Sequence, residues 1–482
     1  MIEGVEVSTD HWIGGNRVGS ADTFTDVSPI DEAPIAEVAR GGTHEAAAAV
    51  AAARGAFHVW GGMSAMDRAA ILHAIADGVD ARVPELAAVE TRDNGSLLRS
   101  MHHSVMPRVA RNFRFFADRL LEIDGPDVNF NGFAEHVSWD PSGVAVVITP
   151  WNAPLMLATW RIAPALAAGN TVVMKPPEWA PLTASMLADI AHDAGLPDGA
   201  FNVVQGIGEE AGAALVANPD VDRIAFTGSI PTGKLVAASA GANLTPLSLE
   251  LGGKSPFLAF ADADMDALVK QAVGQFDNAG QVCLAGTRLL VQREIVDEFL
   301  GRFVEAASAI RQGDPRDDST DIGPQITREH FERVDGFVRR AIADGAKPLI
   351  GGGPNDDLGG LFYRPTLFAD APAGSEILRE EVFGPVLTVQ AFADEEEAIA
   401  LANDTDYGLA AILYTGDRER AERVSARLVA GTVWVNCFFV RDLGAPFGGN
   451  GKSGIGREGG RHSFDFYTDV KNTVFAPNGW NA

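Results

Sequence analysis

Cysteine is nearly absent from this chain, with two in 482 residues, Cys283 and Cys437. Thiols this far apart in sequence make no disulfide framework and lack the paired spacing of a zinc site, so no metal and a reducing cytoplasm are expected. Basic residues are scarce too: 38 Lys plus Arg stand against 65 Asp plus Glu, a net charge of -27. That balance argues against nucleic acid and anionic membranes as partners, since both demand a basic surface. No apolar run approaches the roughly 18 residues of a membrane span, and Met1-Ile2-Glu3-Gly4 has neither the basic region nor the apolar core of a signal peptide. Internal repeats and low-complexity segments are also missing. What remains, 46% hydrophobic residues with scattered charge, is globular, and the length calls for two or three domains.

Residues 8–40 mix short apolar alternations with turn formers such as Gly14-Gly15-Asn16 and Ser28-Pro29, which suggests small antiparallel hairpins. Apolar residues at three and four spacing then predict helices over 44–60, 66–82, 84–91 and 104–118. Between 144 and 250 the pattern alternates strand and helix, with strands expected at 144–148, 171–175, 201–204, 223–227 and 247–250. Such alternation means a parallel sheet covered on both faces, with ligands beyond the carboxyl ends of its strands. Four motifs fall there: Thr149-Pro150-Trp151-Asn152, Lys175-Pro176-Pro177-Glu178, Phe226-Thr227-Gly228-Ser229 and Glu250-Leu251-Gly252-Gly253. A second alternation, with strands expected at 255–260, 287–291, 362–366, 386–391, 410–414 and 431–435, reads as another α/β domain. Residues 121–139 and 463–475 alternate like exposed strands, which need a partner to be stable, and are read as oligomerisation arms.

Cys283 sits between Gly280 and Gly286 in a run too small and polar for a core strand. A thiol acts through its thiolate, which calls for an electropositive, partly accessible setting with backbone N–H groups close by. Taken singly, each motif has a plain alternative. Cys283 could be a small buried hydrophobe, Glu250 a solvated charge at a strand end, and Asn152 the N-cap of the helix that Ala153-Pro154 begins. The glycines Gly206, Gly208 and Gly212 lack the dinucleotide fingerprint spacing and suit an ordinary turn into a helix as well.

Taken in order, the motifs Pro150-Trp151-Asn152, Lys175-Pro-Pro-Glu178, Phe226-Thr-Gly-Ser229, Glu250-Leu-Gly-Gly-Lys254, Gly280-Gln-Val-Cys283, Glu381-Val-Phe383-Gly-Pro and Pro446-Phe-Gly-Gly449 resemble the aldehyde dehydrogenase superfamily over essentially the whole chain. The resemblance implies an α/β fold with a Rossmann-like NAD-binding domain (1–118 and 142–252), an α/β catalytic domain (253–452) and a β oligomerisation arm (119–141 and 463–482), assembled as a homodimer or homotetramer. It implies Cys283 as nucleophile, Asn152 with the Cys283 backbone N–H as oxyanion hole, and Glu250 as the base for water, a residue the coenzyme-A-acylating branch generally lacks. For the coenzyme it implies Lys175 and Glu178 at the adenine ribose, Ser229 at the pyrophosphate, and Glu381 and Phe383 at the nicotinamide end. Thr149, Trp151, Gly208, Gly212, Phe226 and Gly228 complete that set. A carboxylate at position 178 accepts ribose hydroxyls and repels a 2′-phosphate, so NAD is expected over NADP. Phe383 suits core packing equally well.

The run Asn436-Cys-Phe-Phe-Val-Arg441-Asp442-Leu443, with Gly456-Arg-Glu-Gly-Gly460 and the segment 462–469, is similar to the hydroxymuconic and carboxymethyl-hydroxymuconic semialdehyde dehydrogenases of aromatic catabolism. That branch implies substrate contacts from Arg108, Arg441, Trp160 and Phe447, because a planar guanidinium binds a carboxylate bidentately. Both arginines could instead be surface charges. Two other functions stay open: a broad-specificity or betaine-type enzyme, and a catalytically silent structural or binding relative, which would have no reason to keep Cys283, Glu250 and Asn152 together.

Overall fold

The computed structural model describes residues 1–123, 127–130 and 132–477. The expected early helices form at Thr43–Gly61, Ala65–Ala81, Val83–Asn94 and Met106–Leu120. Local chemistry sets their ends: Ser64 caps the second by accepting from Asp67 N, and the third stops at Gly95, whose φ is 75°. The fourth is entered through a wide π turn, Met101–Val105, that periodicity does not reveal. The 8–40 region forms two hairpins, His11–Ile13 with Asn16–Val18 and Thr23–Val27 with Pro34–Ala39.

Val144–Ile148 and Thr171–Lys175 are buried at every position, as a sheet covered on both faces requires. The parallel part of the first sheet runs Leu247–Glu250, Arg223–Thr227, Val144–Ile148, Thr171–Lys175, Phe201–Val203. His11–Ile13 and Asn16–Val18 extend one edge antiparallel, and Gly454–Ile455 the other. The chain builds outward from Val144–Ile148 on one side, then crosses to the other side of that same strand. This reversal opens a crevice beyond its carboxyl end, where Thr149 to Asn152 lie.

The second sheet runs Lys347–Ile350, Thr366–Ala369, Val386–Phe392, Arg288–Gln292, Pro256–Ala259, Ala410–Tyr414, Thr432–Val435. One expectation fails here and one strand is added. The strand expected at 362–366 forms instead at Thr366–Ala369, because Pro365 has no N–H to give a ladder and pairing starts only after it. The edge strand Lys347–Ile350, which pairs antiparallel and is only half covered, was not anticipated.

A third sheet joins Thr468–Phe475, Phe133–Pro141 and Asp127–Phe130 antiparallel. The reading of 463–475 as one strand is wrong in its first part: Gly460–Tyr467 is a helix. Phe464 and Tyr467, one turn apart, bury together in the first core, and Ser463 Oγ accepts from Gly459 N at 2.9 Å. Residues 124–126, 131 and 478–482 of the expected arm lie outside the described residues. Among the described residues no helix is long and apolar enough to cross a membrane, and no group of three or more His, Cys, Asp or Glu could hold a metal ion.

Candidate active site

A cavity of about 800 Å³ is lined from both larger sheets. Trp151, Asn152, Gly228, Ser229 and Glu250 face it from beyond the first, and Cys283, Glu381, Phe383, Arg441 and Phe447 from the segments that carry the second.

Cys283 reaches the cavity through a strained turn. Asn278, Ala279 and Gly280 take φ of 50°, 55° and 74° in succession, and the first two carry a Cβ that disfavours this region. Neighbours hold the turn: Asn278 Nδ2 donates to Asn152 O at 3.1 Å, Ser96 Oγ to Asn278 Oδ1 at 3.0 Å, Gln325 Nε2 to Ala279 O at 3.1 Å and Gln281 Nε2 to Asn278 O at 3.0 Å. Gly280 admits no larger residue, since an added Cβ would lie 2.1 Å from Gly384 O. The turn therefore sets the nucleophile loop against the Phe383-Gly384-Pro385 segment.

Asn152 is not the helix cap: the N-cap of Pro154–Ala167 is Ala153, without a side-chain bond. Its Nδ2 donates instead to Gln281 O at 3.0 Å, two residues from Cys283, and leaves a second amide hydrogen for the cavity. Glu250 is buried, and neither carboxylate oxygen has a hydrogen-bond partner in the protein. Burial raises its pKa well above the usual range, nearby Glu458 adds to this, and Arg161, Arg441 and Arg457 oppose it. Glu458 is itself paired to buried Arg161 at 2.6 Å.

The electropositive setting expected for Cys283 is not what its surroundings supply. Burial, helped by Glu381 and Glu250, pushes the thiol up to about 12, and only Arg441 and the backbone N–H of Cys283 favour the thiolate. The resting sulfur is therefore a thiol.

Arg441 and Arg108 lie over one indole, their guanidinium carbons 5.0 and 5.4 Å from the Trp160 ring centre, and Arg441 also sits 3.8 Å over Phe447. Arg108 donates to Asn112 Oδ1 at 2.9 Å, and burial together with the charges of Arg441 and Arg111 brings it down to about 9. Neither is a surface charge, and all four residues expected at the substrate converge.

Glu381 accepts from Gly253 N at 3.0 Å, and burial pushes it up to about 7. Phe383 takes φ 61° and presents its ring edge-on to Trp151 at 5.3 Å. At the other end Lys175 Nζ and Glu178 Oε2 meet at 2.6 Å, and an added Cβ at Gly208 would come within 3.9 Å of both side chains. Gly212 lies against the Lys175 stem. Thr149 Oγ1 is buried without a partner. Ser229 caps the helix Ile230–Ala242 by accepting from Thr232 N at 3.3 Å. Phe226 turns its ring into the core and offers its carbonyl to Arg161 at 3.3 Å. Thr149, Lys175, Glu178, Gly208, Gly212 and Phe226 stand outside the cavity lining.

Sequence reasoning missed Arg161, Glu458 and His330. Arg161 carried a signal, a lone cation inside the apolar helix Pro154–Ala167. His330 Nε2 donates to Phe383 O at 2.7 Å and its ring meets Trp151 edge-on at 5.1 Å, with burial bringing it down to about 4. Nothing in its helical surroundings marks it out.

The family model described as the aldehyde dehydrogenase family matches residues 17–473. The 2-hydroxymuconic semialdehyde dehydrogenase of Pseudomonas sp. (strain CF600) is 44% identical over 478 residues, 96% of this chain and 98% of that protein. The 5-carboxymethyl-2-hydroxymuconate semialdehyde dehydrogenase of Escherichia coli is 42% identical over 94% of this chain and 98% of its own length. Among solved structures, betaine aldehyde dehydrogenase from Staphylococcus aureus in complex with NAD+ superposes with a TM-score of 0.96 at 38% identity, covering 99% of this chain and 97% of that one.

A thiol held up to about 12 stays mostly protonated at neutral pH. Alkylation of Cys283 by iodoacetamide, followed by peptide mapping, should therefore accelerate about tenfold per pH unit from pH 7 to 9, because the thiolate is the reacting form. A rate that levels off near pH 8 would contradict the shift.

Proposed function

The chain belongs to the aldehyde dehydrogenase family, and from that premise we propose that it oxidises a carboxylate-bearing semialdehyde, such as 2-hydroxymuconic or 5-carboxymethyl-2-hydroxymuconic semialdehyde, to the acid with NAD. The observation that carries the substrate reading is Arg441, which stands in the cavity of Cys283, stacked on Phe447 and Trp160, without a hydrogen bond or ion pair among the described residues. A half-buried cation held between two aromatic rings with no anion beside it is unfavourable unless a ligand supplies one. The same cation disfavours a quaternary ammonium substrate, which weighs against the betaine-type reading.

In this reading the Cys283 sulfur gives its proton to solvent water and attacks the aldehyde carbon as the thiolate. The carbonyl oxygen gains negative charge and accepts from Asn152 Nδ2 and from the Cys283 backbone N–H. NAD supplies acceptance of the hydride that leaves the former aldehyde carbon. Cys283 then carries a thioester, Glu250 takes a proton from water, and the water oxygen displaces the thiol as the acid departs. The residues present fit the coenzyme. The Lys175–Glu178 pair, the close glycine Gly208 and the helix start at Ser229 suit a ribose and a pyrophosphate, and Glu381, Phe383 and Trp151 suit the nicotinamide end.

The assignment extends to the chain as a whole. The first sheet with its helices would be the coenzyme domain, the second the catalytic domain, and the three-stranded sheet an arm joining copies in a homodimer or homotetramer. Val470 and Val474 stand exposed on that arm, as a surface awaiting a second copy would. Two unpaired cysteines suit a reducing cytoplasm.

Light scattering at micromolar concentration should return a dimer or tetramer; a monomer would refute the arm. Cys283→Ala should abolish turnover and leave NAD binding near the wild-type value. Glu250→Gln should release roughly one equivalent of NADH per site and then stall, since only the step on water needs the base. Undiminished steady turnover would remove Glu250 from that role. Charge-assisted contacts contribute roughly 1.5 to 3 kcal/mol, so Arg441→Ala should lower kcat/KM for an anionic semialdehyde by about tenfold to a hundredfold. A neutral aldehyde of similar length should be unaffected or improved, and equal losses on both would sink the substrate reading.

A further inference from the structure

The segment Glu381-Val382-Phe383-Gly384 lies between the short helix Glu376–Arg379 and the strand Val386–Phe392 and has no regular structure of its own. Among the described residues, the carbonyls of Glu381, Val382 and Phe383 accept from no backbone N–H. All three are taken up instead by two side chains of one helix, Arg328–Ala343. Arg333 Nη2 donates to Glu381 O at 2.8 Å, its Nη1 donates to Val382 O, and His330 Nε2 donates to Phe383 O at 2.7 Å. Val334 completes that helix face and lies so close to Gly384 that an added Cβ there would stand 2.7 Å from Val334 Cγ2. Positions 330, 333 and 334 are one turn apart, so a single rigid face grips four consecutive residues.

The gripped residues face two ways. Phe383 is held at φ 61°, which a residue with a Cβ keeps only where its surroundings enforce it. Glu381 is boxed at its carboxylate: Oε1 accepts from Gly253 N at 3.0 Å, and an added Cβ at Gly252 would lie 1.9 Å from Oε2. On the other side, Gly384 O is the atom against which Gly280 of the nucleophile turn closes. Arg333 forms no ion pair among the described residues, so its guanidinium is committed to the two carbonyls, with the Phe337 ring 4.9 Å beneath it. His330, kept neutral by burial, has one ring N–H, and it is the one given to Phe383 O.

We infer that His330 and Arg333 are positioning residues for hydride transfer: through the carbonyls of residues 381–383 they set the Glu381 carboxylate and the Phe383 ring in register with the Cys283 sulfur. This rests on the reading of Glu381 and Phe383 as the nicotinamide end. The helix face fixes both ends of the register, since the segment that carries those two residues also abuts the turn that presents the sulfur. Loosening it leaves every reacting group present and misplaces the ring against the aldehyde carbon, and a misplacement of about 1 Å can lower a rate by roughly a hundredfold. The adenine half, assigned to Lys175, Glu178 and Ser229, lies on the first sheet and outside the reach of these two side chains.

NAD and ADP are the probes, because ADP shares the adenine ribose and the pyrophosphate with NAD and lacks the nicotinamide half. In calorimetric titrations without aldehyde, Arg333→Met and His330→Leu should each weaken NAD by roughly fivefold, the size of a lost hydrogen bond, and leave ADP at its wild-type affinity. With 2-hydroxymuconic semialdehyde, the first-turnover rate of NADH formation in stopped flow should fall by about tenfold or more while KM for the aldehyde holds. His330→Gln, which keeps an N–H able to reach Phe383 O, should recover most of both losses. An equal loss for NAD and ADP, no loss for either, or a His330→Gln enzyme no better than His330→Leu overturns the positioning role. Glu381→Ala run beside them separates the two readings. If it weakens NAD and spares ADP while the helix variants bind NAD as the wild type does, only the positioning role is wrong. If Glu381→Ala leaves NAD affinity unchanged, Glu381 is not at the nicotinamide end and both fall together.

Discussion

The left-handed turn Asn278-Ala279-Gly280 is the constraint on which the site depends, because it is where the segments carrying the two larger sheets are fastened to each other. Each non-glycine residue held there costs on the order of 1 to 3 kcal/mol, while each hydrogen bond that holds it contributes about 1 kcal/mol net. The bonds to Asn278 and Ala279 come from Asn152, Ser96 and Gln325, three segments distant in sequence, and from Gln281 on the same loop. The strain is thus offset only when all of these are in place. Cys283 is presented to the cavity by the assembled fold and not by its local sequence. Asn152 belongs to the same knot from both ends, its carbonyl accepting from Asn278 and its amide donating to Gln281 O. A residue bound in this way cannot turn away from the sulfur.

What could be read from residue order was whatever depends on burial along a single element. The run at 144–148 is apolar throughout and those at 171–175 and 223–227 have three apolar residues at their centres, and all three form strands at those limits. The residues just beyond them are the ones the cavity collects, since a reversal of strand order opens a crevice at that place whatever the loops contain. Where the limit was set by a neighbour, the reading slipped. Phe464, Phe466 and Tyr467 suit a strand's alternation as well as a helix turn, and the choice was made by the first core, which takes Phe464 and Tyr467 from one face. The Arg161–Glu458 pair was equally hidden, because two residues almost three hundred positions apart become partners only through the fold.

Charge in the cavity divides into two kinds. Arg161 is neutralised by Glu458, so its field at Glu250 is largely answered by the same carboxylate that raises Glu250. Arg441 has no such answer. It is the one cation that acts on both Glu250, where Arg457 joins it, and Cys283, favouring in both the ionised form that the proposed chemistry uses and burial opposes. A permanently bound anion beside Arg441 would cancel that field. Two aromatic faces, Trp160 and Phe447, hold the guanidinium without cancelling it, since a ring quadrupole attracts a cation but carries no net charge. The arrangement keeps the cation available both to the reacting groups and to an incoming carboxylate. When that carboxylate arrives, part of the field at Glu250 is spent on it just as water leaves the cavity. That carboxylate is part of the acyl group on Cys283 and stays at Arg441 until the thioester is cleaved, so Glu250 takes the proton from water under the weakened field, helped by Arg457.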